Sequence, residues 1–266
     1  MKIRDKDFSI GMTSIILSWL IFSLLISEDS LPSLNPNSQD DIQSLPNFSS
    51  FKNTQKKKDA FFNFLYPIAI EENLFLLDIR NQLGVLKNKT ALEVQEINWL
   101  MQLKSDYFIE SEDTVESIDQ LLKRVDVIPP SLILAQAAIE SGWGTSRFAK
   151  KANNLFGHWC FSKGCGLVPS SRDNGKAHEV AKFDSVNESI RSYLKNLNSF
   201  HRYQQFRLLR SQSNIKEAGD GVLKLIPGLK AYSEQGEIYI KKVQNLIKHN
   251  KLQKFDRRFV EQLNKK

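Results

Sequence analysis

Cysteine is scarce in this chain, with two among 266 residues, Cys160 and Cys165. That excludes a scaffold built on disulfides, the usual device of small secreted domains with too little core. Histidine is scarce as well, with four. A zinc site on the two cysteines would need two further ligands. His158 and His178 stand near them, but no recognised spacing joins the four. No segment repeats at a fixed period, which excludes a solenoid or propeller. The net charge of +7 is not accompanied by a nucleic-acid recognition motif, so it reads as long-range attraction to an anionic polymer. No cofactor is expected.

What is present begins with one long apolar run. Phe8 to Ser27 carries no charge and follows Lys2, Arg4 and Lys6. Its length is near the ~20 residues that span a bilayer as a helix. It ends Leu25-Ile26-Ser27-Glu28, unlike the small-residue cleavage site of a signal peptide. The reading is an uncleaved transmembrane anchor over 8–27, with residues 1–7 in the cytoplasm and the rest exported. Residues 28–55, rich in Ser, Asn, Pro and Gln without a period, read as a flexible linker. A folded domain is expected over 56–250, and the basic residues 251–266 read as a solvated tail. Export would place Cys160 and Cys165 in an oxidising compartment, where a disulfide is the expected state and metal ligation the alternative.

Within the domain, Phe61, Phe62, Leu65 and Ile68 with Leu74, Leu77 and Ile79 predict one or two helices interrupted at Pro67. Further helices are expected near 91–104, 113–125, 203–209 and 215–225. Ser185-Val186-Asn187-Glu188 is a capping box that opens a helix to about Phe200. Ser233 is the expected cap of a last helix running to about Lys248. Between them, 154–183 is rich in glycine and ends in a strand-like stretch, which reads as a β-hairpin lobe.

The most informative stretch is Leu134-Ala135-Gln136-Ala137-Ala138-Ile139-Glu140-Ser141-Gly142-Trp143-Gly144, followed by Asn153-Asn154-Leu155-Phe156-Gly157. Proline favours a helix start and glycine a helix end, so a helix is expected from about Pro130 to about Ser141. It is too apolar for a surface helix, so Glu140 should sit at the edge of a core where the chain breaks open. A carboxyl group among apolar atoms has its neutral form favoured, the state a general acid needs.

These two motifs, together with Gly157-His158-Trp159-Cys160-Phe161-Ser162-Lys163-Gly164-Cys165-Gly166, resemble the Bax-type branch of glycoside hydrolase family seventy-three. The resemblance covers roughly 55–250. It implies an α+β, mainly α fold: a lysozyme-like helical core with a small β lobe. It also implies a glucosaminidase acting on peptidoglycan, with Glu140 as catalytic acid. A second carboxylate on the lobe maps to Glu179, whose alternative role is that of a strand residue paired with a lysine. Ala231-Tyr232-Ser233-Glu234 replaces the family's Tyr-Ala-Thr-Asp-like stretch, so Tyr232 carries over as an active-site group; Tyr239, at helical spacing, reads as a core or cleft-wall residue and a candidate for substrate contact. Trp143, Asn154, Phe156 and Trp159 are the remaining candidates for substrate contact. The expected protein is a monomer held at the inner membrane with its domain in the periplasm. A muramidase or lytic transglycosylase, or a non-catalytic wall-binding protein, are the alternatives.

Overall fold

The structure is a computed structural model that describes residues 31–34, 41–170, 175, 177–213 and 221–265. The apolar run 8–27 lies outside the described residues. Leu34–Lys266 forms one compact unit.

A 34-residue helix, α1 (Thr54–Lys87), is the element around which the others pack. Asn53 caps it by accepting from the Lys56 amide at 2.9 Å. Pro67 does not interrupt it. A proline inside a helix costs about 3 kcal/mol, and burial of a large apolar side chain returns about 1.5–3 kcal/mol. Phe61, Phe62, Leu65 and Ile68 around Pro67 are all buried, so packing wins. The helix is long and apolar enough to cross a membrane, yet 56% of its most apolar window is buried inside the protein.

Helices α2 (Val94–Asp106) and α3 (Thr114–Arg124) follow, then α4 (Pro130–Glu140) and the short α5 (Arg147–Ala152). After the lobe come α6 (Val186–Ser199), α7 (Gln204–Gln212), α8 (Gly221–Leu225), α9 (Glu237–His249) and α10 (Gln253–Leu263). The architecture is mainly helical, with one small antiparallel sheet. Its strands are β1 (Trp159–Cys160), β2 (Gly166–Leu167) and β3 (Glu179–Ala181), in the order β1-β3-β2. The lobe is therefore a three-stranded sheet rather than a hairpin, with its last strand in the middle. Trp159 pairs with Val180 and Cys160 with Glu179 on one side, Gly166 with Ala181 on the other. A Cβ at position 166 would stand 2.0 Å from the Val180 carbonyl oxygen, so only glycine fits there.

Helix α4 is held from three sides, by α1, α9 and α10. Its start is fixed by two buried polar clamps. Asn73 on α1 exchanges both amide bonds with the backbone of Ile128, each at 2.9 Å. Asp256 on α10 accepts from the Ser131 amide at 2.8 Å and from its hydroxyl at 2.5 Å. That carboxylate serves as a helix cap supplied from another element. Burial pushes its pKa up to about 6.

Both domain edges differ from the expected ones. Residues 41–51, expected within the flexible linker, lie on the domain. Phe48 is buried against Phe61, Ile42 exchanges bonds with Asn187 and Val186, and the Asn153 amide donates to the Gln43 carbonyl. One buried aromatic and backbone pairing order a stretch whose composition reads as disordered. The expected basic tail is helix α10, with Leu252, Phe255 and Phe259 buried. These apolar residues line one side of a segment that also carries Lys254, Arg257 and Arg258.

Removing residues 252–266 should therefore lower stability by at least about 5 kcal/mol, since burying each phenylalanine is worth ~3–5 kcal/mol. Urea unfolding of the truncated chain checks this. A solvated tail would leave the midpoint unchanged.

Candidate active site

The break after Glu140 follows from its residues. Ser141 ends α4 and bonds back through its hydroxyl to the Ala137 carbonyl at 2.5 Å. The same hydroxyl accepts from the Gly144 amide at 2.8 Å. Gly142, Trp143 and Gly144 then turn through consecutive positive φ of 58°, 62° and 71°, a path glycine takes without cost and tryptophan does not. Trp143 is held there by its ring, which packs edge-on against Phe61 and Phe62 at 5.8 and 5.3 Å. A Cβ at Gly144 would meet the Phe48 ring at 2.6 Å. Glu-Ser-Gly-Trp-Gly is thus a device for ending a buried helix abruptly, with Glu140 at its lip. Trp143 itself belongs to the wall against α1, with the Lys58 ammonium over its ring, rather than to a sugar platform.

Glu140 does not stand alone. Its carboxyl faces the side chain of Tyr239 on α9, a neighbour that favours its charged form. The polarity of that approach follows from the partners behind the tyrosine. The Gln136 amide nitrogen donates to the Tyr239 oxygen at 2.8 Å, and the Tyr193 hydroxyl donates to the Gln136 carbonyl oxygen at 2.5 Å. With its oxygen already accepting from an N–H, Tyr239 has its one proton left for Glu140. Tyr193, Gln136 and Tyr239 form a one-way chain of donors that leads to the Glu140 carboxyl. Gln136 lies one helical turn before Glu140, on the same face, and is fully buried, as is Tyr193.

Burial raises the Glu140 pKa from its ordinary value, opposed by the Tyr239 hydrogen bond and the Lys242 charge. The carboxyl is therefore biased toward the protonated state a proton donor starts from. Its conjugate base would meet a donor and a cation already in place.

Tyrosines make the wall beside it. Tyr232 stacks on Tyr239 with ring centres 5.4 Å apart and meets Tyr193 and Tyr203 at 6.4 and 6.1 Å. Burial, with neighbouring tyrosines and Glu140, holds the Tyr232 pKa well above the ordinary range, so it remains a donor at any working pH. Its hydroxyl donates to the Phe156 carbonyl at 3.3 Å, the longest of these bonds. Phe156 is buried and stacked on Tyr193 at 4.0 Å.

The other expected site residues take different positions. Asn154 spends both amide protons on backbone, donating to the His158 and Ala181 carbonyls, and accepts from the His158 amide, so it holds the loop to β3. Glu179 is buried at 6% exposure. One of its oxygens accepts from the Gly164 amide at 3.0 Å and the other from Gly166 at 2.8 Å. Gly164 lies in the loop closed by the Cys160–Cys165 disulfide and Gly166 directly follows it; the two sulfurs are bonded to each other. The expected second carboxylate thus braces the lobe from inside, because its strand is the central one. Trp159 is 59% exposed and lies flat on His178 at 4.1 Å, an accessible aromatic face suited to stacking on a sugar ring.

Sequence reasoning missed Gln136, Tyr193 and Tyr203. Gln136 carried a legible signal, a long polar side chain inside an otherwise apolar helix. The two tyrosines carried none.

Tyr239→Phe removes a bond that favours the charged form of Glu140, so the Glu140 pKa should rise further. A proton donor loses activity as pH rises through its pKa, so the alkaline limb of the pH–rate profile should move to higher pH. Leaving the Gln136 amide unpaired should also cost about 1–3 kcal/mol of stability. A pH–rate profile with an unmoved alkaline limb would contradict the bond.

A family model described as glucosaminidase, mannosyl-glycoprotein endo-beta-N-acetylglucosaminidase, matches residues 115–252. Protein bax of Escherichia coli (strain K12) is 32% identical over 198 residues, covering 74% of this chain and 70% of that protein. Exo-glucosaminidase LytG of Bacillus subtilis (strain 168) is 28% identical over 152 residues, 57% of this chain and 45% of that protein. The chain thus spans under half of the second relative. The catalytic domain of the autolysin Auto from Listeria monocytogenes is similar at 20% identity and a TM-score of 0.36, over 66% of this chain and 95% of that one. That overlay is too loose for residue correspondences. The matched segment runs from α3 through α9 and holds Glu140, Tyr239 and the lobe, and with the bax match it shows that the chain belongs to the glucosaminidase family, as a Bax-type glucosaminidase-domain protein.

Proposed function

We propose that the chain is an endo-acting β-N-acetylglucosaminidase of peptidoglycan with Glu140 as its proton donor. The observation that carries this reading is the Glu140 carboxyl at the end of a buried helix, its pKa raised by burial and its neighbour Tyr239 oriented by Gln136 with a proton to spare. Glu140 protonates the glycosidic oxygen as the bond to the anomeric carbon breaks. The carboxyl then becomes a carboxylate, and the hydrogen bond from Tyr239 strengthens as that charge develops. Lys242 adds an attractive charge. Interactions that grow toward the transition state are the ones that accelerate the step.

Positive charge at the anomeric carbon also needs a partner. Glu179, the expected second carboxylate, has both oxygens occupied by lobe amides, and we assign it to holding the lobe in place. Tyr232 suits the remaining task. Its bond to Phe156 is long at 3.3 Å, so its proton can be redirected to the substrate acetamido group, whose oxygen then shields the anomeric carbon. Trp159 would stack on an adjacent sugar. A buried helix ending in a catalytic glutamate beside a β lobe is a lysozyme-like arrangement. We further place the domain in the periplasm, tethered to the inner membrane by the 8–27 run. The Cys160–Cys165 disulfide is in keeping with an oxidising compartment.

Glu140→Gln keeps size and hydrogen bonding without an acidic proton, so it should lower hydrolysis of sacculi by ~10²–10⁴-fold with little change in stability. Mass spectrometry of the wild-type products should find N-acetylglucosamine at the new reducing ends. Muramic-acid ends would make it a muramidase or lytic transglycosylase, and no products would make it a binding protein. Assayed side by side, Tyr232→Phe should reduce turnover more than Glu179→Gln. The reverse order would return Glu179 to the reaction.

A further inference from the structure

The turn that brings Tyr203 to the tyrosine wall also carries His201 into a separate groove of about 670 Å³. That volume is within the range of ligand sites. Among the described residues its lining includes Lys123, Arg124, Arg207, Gln120, Gln204 and Gln205, and no carboxylate. Among the described residues none of these three cations forms an ion pair. Glu110 acts on Arg124 only through its field. Behind them, Arg210 is matched to Asp126 at 3.8 Å, which Arg80 shares at 3.9 Å.

The two lining arginines are fixed in place. Through Nη1, Arg207 donates to the Leu197 and Phe200 carbonyls at 3.0 and 2.9 Å. Arg124 donates, again through Nη1, to the Tyr107, Phe108 and Ser199 carbonyls. All their protein bonds among the described residues run from that one nitrogen, which leaves Nη2 and Nε of each fork for an outside acceptor. A guanidinium held by one edge with the other unspent is pre-organised for a carboxylate or phosphate. Arg207 carries the mark of this crowding. Burial and the charges of Arg124 and Arg210 draw its pKa down to about 10, a repulsion that an anion in the groove would relieve.

The neutral part of the lining narrows the ligand. Three glutamine amides offer both donors and acceptors, which a bare anion does not use and a peptide backbone does. We propose that this groove is an exosite for an acidic peptide, namely the carboxylate-bearing peptide stems attached to the glycan, an assignment that rests on the peptidoglycan reading above. The groove would hold the strand by its stems while Glu140 acts on the sugars, so its occupancy would appear in KM rather than in kcat.

The test uses the full chain with two variants that leave both structural arginines intact, Lys123→Glu and Gln204→Glu. Calorimetric titration with a soluble stem tetrapeptide should show binding to the wild type and about fivefold weaker binding to either variant. On sacculi the variants should raise KM about fivefold at unchanged kcat, and on glycan stripped of its stems by an amidase they should match the wild type. No peptide binding by the wild type, an equal KM change on both substrates, or competition by inorganic phosphate at concentrations as low as those of the peptide would overturn the proposal. Variants that lose binding to anionic vesicles while the wild type ignores the peptide would assign the groove to membrane lipids instead. The titration reads the groove even if the chain hydrolyses no glycan, so failure of the exosite and failure of the glucosaminidase reading give different results.

Discussion

The site depends on one arrangement, the Tyr239 hydroxyl presented to the Glu140 carboxyl by the partners behind it. A carboxyl at the edge of a core is costly to ionise and free to turn unless something fixes it. Here the donor that fixes it is itself oriented, because Gln136 occupies the Tyr239 oxygen and Tyr193 occupies the Gln136 carbonyl. The chain joins α4, α6 and α9, so the orientation of one carboxyl is tied to the packing of three helices. The clamps at the start of α4, from Asn73 and Asp256, hold its other end. Helix α4 is thus fixed at both ends by polar contacts and along its length by apolar ones.

The lobe follows a different principle. It has three strands of two or three residues each, too little sheet to stand alone. Glu179 from the middle strand ties down two amides at the disulfide-closed loop, and Asn154 ties the Asn-Asn-Leu-Phe-Gly segment to the same strand. Side chains that look catalytic in a list of polar residues here replace missing ladder bonds. What the lobe offers outward is the exposed Trp159 face.

How much of this was legible in the sequence differs by element. Helix α4 and the break after it were legible because proline, serine and glycine act locally, within a few residues of where they stand. The position of Glu140 at that break was legible for the same reason, and the Cys160–Cys165 disulfide because the apolar run at 8–27 reads as an export signal. Gln136 was half legible, since a buried polar residue needs partners that the sequence does not name. Those partners lie 57 and 103 residues away, and no local pattern encodes such pairings. Composition misled at both ends of the domain. One phenylalanine, Phe48, orders a stretch of serine and asparagine, and two, Phe255 and Phe259, seat a helix rich in lysine and arginine. For Glu179 the residue was rightly singled out, but its task was set by strand order, which a sequence of glycines and short strands does not specify.

The central claim is that Glu140 is a half-buried carboxyl whose pKa lies above the ordinary value and that answers to its neighbour Tyr239. Infrared difference spectra of wild type against Glu140→Gln, recorded across pH 4 to 7, read it directly. A protonated carboxyl band that persists well above the ordinary glutamate value and changes frequency in Tyr239→Phe is the result the account predicts. A band that vanishes at or below that value, or that ignores the tyrosine, would contradict it.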